Sequence, residues 1–422
     1  MPETKSKDGF GKYIGLTFLI GFGFFTMGLL DPLYDTYIPL FLRRYISSNA
    51  AVGAIMTVDN ILQLFLISFV SIWSDRTRTR IGRRMPFIIV MLPISAILFS
   101  LFPPMAGSSL LALGVIIFLF NIFKTSVRGP VVALMPDTIP GDYRSEANGV
   151  INTMGGVGTV AGTLVLARLF DVRESLPFNI TSIAIIVAVL VLLIFVKEKL
   201  PEKNEAEEEK VPVLKSIKQV FTSEDFSVAR ILIALFFWFT GFQGAIPFLG
   251  LYLVESMGVS GGNAALAQGV VGIASVLMAV PAGYLAHRAG RRRYIRINLV
   301  CMAVILFLIP VAGHVGNSMG ISPDGALKLF LTLMFFFGGF YIGVIVNSFP
   351  MLWQMATFGT MGIYTGLYYT FSQSASILAP PITGALIDLI GYSGIFIFGG
   401  VCMLIAWFVM GGVKAGEPAK QQ

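Results

Sequence analysis

The chain has 422 residues, 55% of them hydrophobic and only 13% charged, and its mean hydropathy is +0.80. A soluble domain of that composition would aggregate, so the apolar surface calls for lipid as its solvent. Lys and Arg outnumber Asp and Glu 30 to 23, a formal charge of +7, but the cations fall in short loops between apolar runs; that is the pattern of membrane topology and argues against nucleic acid as a partner.

A spanning helix needs about 20 mostly apolar residues. Runs of that kind predict twelve spans: 13–42, 50–73, 87–105, 109–135, 146–168, 177–196, 231–254, 263–286, 294–315, 326–348, 361–386 and 392–412. Lys5, Lys7 and Lys12 precede a first run that is too long for a signal peptide and lacks a small-residue cleavage site, so it is read as an uncleaved span. Cys301 and Cys402 both lie inside spans, and no disulfide framework follows. A polar turn with Gly and Pro at 317–325 separates spans nine and ten. The one long hydrophilic stretch, 197–230, is a linker between an N-terminal six-helix bundle, 1–196, and a C-terminal one, 231–422. The fold class expected is an all-α membrane protein of twelve transmembrane helices in two pseudo-symmetric bundles.

Orientation follows from the basic loops. Arg76, Arg78, Arg80, Arg83 and Arg84 crowd the loop after span two, Arg288, Arg291, Arg292 and Arg293 the loop after span eight, and six lysines the linker. All fall on one side if both termini are cytoplasmic. The bundles also look related in sequence. Residues 149–171 and 366–388 align without a gap and share the opening Gly, a Thr, the near-final Leu and the final Asp, and each bundle carries a basic loop after its second helix. Parallel repeats of this kind place a substrate site near the midplane, between halves that rock against each other.

Charges inside spans are penalised by roughly 2.5–3.5 kcal/mol each on insertion scales and need a reason. Asp31 and Asp35 lie four apart on span one, Asp59 on span two, and Lys124 and Arg128 four apart on span four, so each close pair shares a helical face. They can form a polar substrate cavity with a proton- or cation-coupling carboxylate; the alternative is a set of ion pairs that only fixes helix packing. Gln243, Asn347 and Gln373 are uncharged hydrogen-bonding groups within spans, and Tyr368 is a ring that could stack on a sugar face; each could equally serve helix packing. In the loop after span two, Asp75 with Gly82 suggests a cytoplasmic latch with Arg76, Arg83 and Arg84, where topology alone would explain the arginines. Pro130, Pro247, Pro350, Pro380 and Pro381 mark places where helices can hinge. There is no HExxH, Gly-rich phosphate loop or Ser-His-Asp set, and His287 and His314 are the only histidines, so neither an enzyme nor a metal site is expected.

SDRTRTRIGRRMPFI (74–88) resembles the cytoplasmic loop of major facilitator superfamily carriers, and in particular of the glycoside–pentoside–hexuronide:cation symporters and their sucrose-transporter-like relatives. RGPVVALMPDTIPGDYRSEANG (128–149), VNSFPMLWQMA (346–356) and GIYTGLYYTFSQSASILAPPITG (362–384) resemble their span four to five connection, span ten and span eleven, so the similarity covers essentially the whole chain. The resemblance implies the twelve-helix fold, alternating access and sugar uptake coupled to a cation, and it adds Asp137 and Arg144 to the cytoplasmic gate. It departs at three places. The sugar-binding Asp of melibiose-type carriers falls at Arg128, their paired cation-binding acids fall near Gln63 and Ile67, and the proton-coupling Asp of sucrose carriers falls at Asn121. Proton rather than sodium coupling is therefore expected, through Asp31, Asp35 or Asp59, with no cofactor. The expected cargo is a sugar or glycoside; an anionic uronide or lysolipid held by Lys124 and Arg128 is the alternative, and a channel or sensor a more distant one. A monomer in a plasma membrane, bacterial inner membrane by composition and family, completes the expectation.

Overall fold

Hydrocarbon offers no water to backbone N–H and C=O groups, so each spanning segment has to satisfy its own, and helices do so within one segment. The computed structural model describes residues 10–140, 143–198, 226–318, 322–355 and 361–414, without the side chains of 145, 313–318 and 361–363. Most of the linker expected at 197–230, and the side chain of His314, lie outside the described residues. Among the described residues the chain is helical, with no strand.

In chain order the helices are α1 (Gly11–Arg43), α2 (Asn49–Arg76), α3 (Met85–Ser100), α4 (Leu110–Thr138), α5 (Glu146–Phe170), α6 (Ser175–Phe195), α7 (Ser227–Ser256), α8 (Gly261–Ala289), α9 (Arg291–Ser318), α10 (Pro323–Trp353), α11 (Met361–Ile390) and α12 (Ser393–Met410). Eleven are long and apolar enough to cross a membrane. The remaining one, α3, has 16 residues, about 24 Å of helix, and resumes after Leu101 as Phe102–Ala106. Pro103 and Pro104 have no N–H to donate to the preceding turn, which accounts for the interruption. Together the two pieces reach about 33 Å, the thickness of a bilayer core. Several helices outrun the spans expected from sequence, α10 to Trp353 and α2 to Arg76 for example. Their polar last turns stay helical in water, where hydropathy no longer reports them.

The chain divides into two compact units: Met1–Tyr45 with Val58–Ala206 and Val259–Ala265, and Ile46–Thr57 with Glu207–Gly258 and Leu266–Gln422. In unit 1, α1 lies directly on α5. A Cβ on Gly158 would stand 2.4 Å from the Phe25 carbonyl oxygen, so only glycine permits the approach. Small residues commonly hold such membrane interfaces, where packing replaces the hydrophobic drive. Phe99, Phe102, Phe120 and Phe178 fill the neighbouring core, with Phe99 and Phe178 centroids 4.9 Å apart. In unit 2, α7 packs on α11 and α12 around the fully buried Trp238.

Each unit also holds the first turns of a helix that continues in the other part of the chain. In unit 2, Asp388 at the end of α11 receives the start of α2: Oδ1 accepts from the Asn49 amide and side chain at 2.8 Å each, and Oδ2 from Ser48 Oγ at 2.8 Å and the Ala50 amide at 3.0 Å. In unit 1, Asp171 at the end of α5 receives the start of α8 in the same way, from Gly262 N and Ser260 Oγ at 2.7 Å each. These are the two aspartates that close the aligned 23-residue repeats, 149–171 and 366–388. The carboxylate satisfies amides that a helix start leaves without partners, and its charge faces the positive end of the helix dipole. α2 is interrupted at Thr57, whose hydroxyl bonds both Gly53 O at 3.0 Å and Ile377 O at 3.2 Å, fixing that break to α11.

Replacing Asp388 by Ala should lower stability by about 1–3 kcal/mol, and Asp171→Ala should act in the same direction. Thermal unfolding in detergent, compared with Asp324→Ala in the exposed pair with Lys328, checks this; equal melting temperatures for all three variants would show that neither aspartate caps a helix in solution.

Candidate functional site

Unit 1 brings the five charges of its spans to one place. Lys124 Nζ stands 2.8 Å from Asp31 Oδ1 and 4.0 Å from Asp59 Oδ2. Beneath it lies the Tyr34 ring, 4.7 Å from Nζ to centroid, an arrangement that holds a cation by the quadrupole of the ring. Tyr34 is in turn fixed by Asn121, whose Nδ2 donates to the phenol oxygen at 2.7 Å. Asp59 occupies the first turn of the second stretch of α2, Val58–Arg76, where the dipole favours a carboxylate, and accepts from Gln63 Nε2 at 3.4 Å.

Arg128 is held more loosely, 3.9 Å from Asp31 Oδ2, and 42% of its side chain is exposed against 11% for Lys124. Asp35, one turn on from Asp31, is half-buried and makes no hydrogen bond or ion pair among the described residues. Three carboxyl groups thus face two cations. Thr26, Asp31, Gln63, Ser95, Lys124 and Arg128 line a cavity of about 20 Å3, room for a water molecule.

The candidates in unit 2 are more fully engaged by their own neighbours. Asn347 is buried and donates to Gly343 O at 2.8 Å and Ala282 O at 3.4 Å, so its amide joins α10 to α8 and is spent on packing rather than offered to a ligand. The Tyr368 hydroxyl pairs with Ser348 Oγ at 3.1 Å while its ring meets Phe349 edge-on at 4.4 Å. Gln243 Nε2 donates to Ser376 Oγ at 3.0 Å, and Gln373 is half-buried on α11 one turn before that serine.

The gate candidates form a network within unit 1. Asp137, near the end of α4, accepts from Arg83 at 2.6 and 2.9 Å and from Arg84 Nε at 2.8 Å. Arg84 also reaches Asp75 and Ser74 Oγ, and Arg83 Nη1 is 4.0 Å from Asp75. Hydrogen bonding to Asp137 raises the Arg83 pKa above its ordinary value. Gly82 has φ +114°, a left-handed conformation that side chains resist, and a Cβ there would strike Glu198. Glu198 closes the network, accepting from the Arg84 amide at 2.8 Å and standing 3.8 Å from Arg83 Nε. Arg144 instead bonds the end of α4, donating to Pro136 O at 2.8 Å and Ile139 O at 3.3 Å, and Arg76 is exposed.

Sequence reasoning missed Tyr34 and Glu198. One tyrosine among 13, in a chain with 36 phenylalanines, carries no mark of its role, and Glu198 stands in a KEK run that reads as linker. Among the described residues no group of His, Cys, Asp and Glu has the geometry to hold a metal.

A twelve-helix bundle with a charged cavity in its spans and an arginine-carboxylate network at one end is a membrane carrier by its architecture. Residues 15–380 match the Major Facilitator Superfamily, and the chain belongs to that family. It is similar to a multi-drug resistance efflux pump PmrA homolog of Lactococcus lactis, 29% identical over 178 residues, 41% of this chain and 40% of that one. It is 27% identical over 214 residues to the general alpha-glucoside permease of Schizosaccharomyces pombe, 44% of this chain and 38% of the permease. The chain thus matches about two fifths of the length of these two relatives. The match to the hexuronate transporter of Bacillus subtilis is longer, 26% identity over 375 residues, 81% of this chain and 82% of the transporter. In fold it is similar to the nucleoside transporter NupG, with a TM-score of 0.74 at 14% identity over 94% of this chain and 99% of NupG. Members and neighbours are transporters, so the chain is a transporter of small molecules and not an enzyme.

Asp137→Ala would leave two buried guanidinium groups without their shared carboxylate and should cost about 3–5 kcal/mol. Asp75 is 48% exposed, and Asp75→Ala should cost under about 1 kcal/mol. Melting temperatures of the two variants in the same detergent test the contrast, and comparable losses would refute the hierarchy. For the cavity, Lys124→Gln and Asp31→Asn should each destabilise, and the double variant by less than the sum, with coupling of about 0.5–3 kcal/mol. Strict additivity would mean that the pair does not interact.

Proposed function

We propose that the protein is a proton-coupled symporter of a sugar or glycoside that works by alternating access, allied to the glycoside–pentoside–hexuronide:cation and sucrose-transporter-like carriers. The observation that carries the proposal is the imbalance in the cavity of unit 1. Lys124 and Arg128 can neutralise two of Asp31, Asp35 and Asp59, and a third uncompensated charge at that depth is expensive. A proton on the third carboxyl restores balance, and Asp35, without an ion-pair partner, is the group placed to take and release it. Proton movement then alters the charge met by the substrate in the same cavity, which is what coupling requires. The bundles at 1–196 and 231–422, joined by 197–230, are the bodies that exchange access, with both termini and the arginine loops cytoplasmic in a bacterial plasma membrane. The monomer is the working form.

A second reading has its own support. The Arg128 guanidinium is exposed and only loosely held by Asp31, and a planar fork of donors suits a substrate carboxylate. The long match to a hexuronate transporter agrees with a sugar acid as cargo.

Uptake into proteoliposomes separates the readings. Accumulation of labelled disaccharides under an imposed proton gradient, and none under sodium, is the expected result. Glucuronate-type substrates that compete while neutral sugars do not would select the sugar acid. No accumulation of either class under either gradient would refute the proposal. Asp35→Asn should abolish gradient-driven accumulation while retaining counterflow exchange; unchanged pH-dependent uptake would remove Asp35 from the coupling step.

A further inference from the structure

The largest cavity among those described in the chain is not the one that holds the buried charges. It lies in unit 2, has a volume of about 420 Å3, and is lined by Arg292, Arg293, Arg296, Ile297 and Trp407. Three guanidinium groups in one cavity repel one another and need an explanation.

The helix geometry adds to that cost. Arg291, Arg292 and Arg293 fill the first turn of α9, which carries no acidic residue there, and the dipole makes that end positive already. Part of the arrangement is explained by α12, which ends at Met410. Arg292 donates to the Gly411 carbonyl and Arg230 of α7 to the Gly412 carbonyl, so two arginines cap the negative end of that helix. Arg293 and Arg296 do not serve that end. Arg293 is exposed. Arg296 lies over the Trp407 ring at 4.9 Å, and its Nε is buried without a hydrogen-bond partner among the described residues. A buried guanidinium N–H with no acceptor is unusual enough to point to an acceptor supplied from outside the chain.

The surroundings say what kind. Trp407 is the sort of ring that settles at the headgroup level of a bilayer. From Ile297 an exposed apolar lane runs into the membrane along Val304 and Leu308 of α9, with Leu404 and Phe408 exposed on α12, the helix packed beside it. A cationic pocket at the end of such a lane matches one molecule, an anion with hydrocarbon attached. We propose that this cavity is a binding site for the phosphate of an anionic phospholipid, held by Arg293 and Arg296 with Trp407 against the glycerol region and the acyl chains along α9 and α12. Planar guanidinium groups hold phosphate oxygens in pairs, and basic pockets between spanning helices bind lipid headgroups in this manner.

Native mass spectrometry of the delipidated full-length protein tests it, with phosphatidylglycerol and phosphatidylcholine of identical acyl chains and with inorganic phosphate as a competitor. Phosphatidylglycerol should be retained over phosphatidylcholine on the order of tenfold. Arg293→Gln, at an exposed position that folding does not depend on, should lose part of the preference. Arg293→Gln with Arg296→Gln should lose all of it. Lys328→Gln, the same loss of charge in the exposed Asp324 pair, should lose none. Equal retention of the two lipids, or a preference that survives the double variant, would overturn the proposal. Displacement of phosphatidylglycerol by inorganic phosphate alone would overturn it in favour of a soluble anion.

Discussion

Ionised groups in hydrocarbon have to be neutralised by one another, and the N-terminal bundle is arranged around one lysine that meets this requirement. Each of Asp31, Asp35, Asp59, Lys124 and Arg128 would cost roughly 2.5–3.5 kcal/mol if left alone in lipid. Lys124 reaches two carboxylates and a tyrosine face at once. That ties α1, α2 and α4 together at a single ammonium, and it fixes which side chains remain for other work. Arg128 keeps an exposed guanidinium and Asp35 an unpaired carboxyl because Lys124 has already claimed Asp31.

The arginine network obeys the same rule with different chemistry. Asp137 serves two guanidinium groups through both of its oxygens, a geometry that a lysine ammonium could not reproduce. It stands on α4, nine residues beyond Arg128, about 13 Å along the same helix. One rigid element therefore carries Lys124 and Arg128 in the cavity and Asp137 in the network. A displacement of α4 that loosens one set of ion pairs acts on the other, which gives the cavity and the aqueous end of the bundle a mechanical connection without any further residue between them.

The helices were legible in the sequence because a membrane imposes length and apolarity on every span and leaves few other solutions. Span edges were less legible: α10 and α2 continue through polar turns that hydropathy scores as loop. Co-location of Asp31, Asp35, Asp59, Lys124 and Arg128 followed from their depth along the spans and from the need of each charge for a counter-charge. Which acid pairs with which base did not follow, because that depends on helix rotation and on Tyr34, one aromatic ring among many. Asp75, Arg83, Arg84 and Asp137 were found through motif resemblance, while Glu198 belonged to a charged run with no periodicity to distinguish it. Asn347 was misleading for a general reason. A buried amide needs partners whether or not it binds a ligand, and here the backbone supplies them.

The final aspartates of the two repeats show what the internal symmetry preserves. Asp171 and Asp388 do the same task in their own units, each closing on the start of a helix, although little else in the aligned segments is identical. The cavity charges were not preserved in this way. Unit 1 places five ionisable side chains in its spans, whereas the corresponding candidates of unit 2 are amides and a phenol already bonded to neighbours. A capping carboxylate serves the fold, and any repeat built on the same helix ends needs one. A lysine-centred charge cluster serves chemistry, and a second copy would double the cost of buried charge without adding a second coupled proton to the same substrate. Symmetry in the caps with asymmetry in the charges is what a duplicated scaffold carrying one coupling site requires.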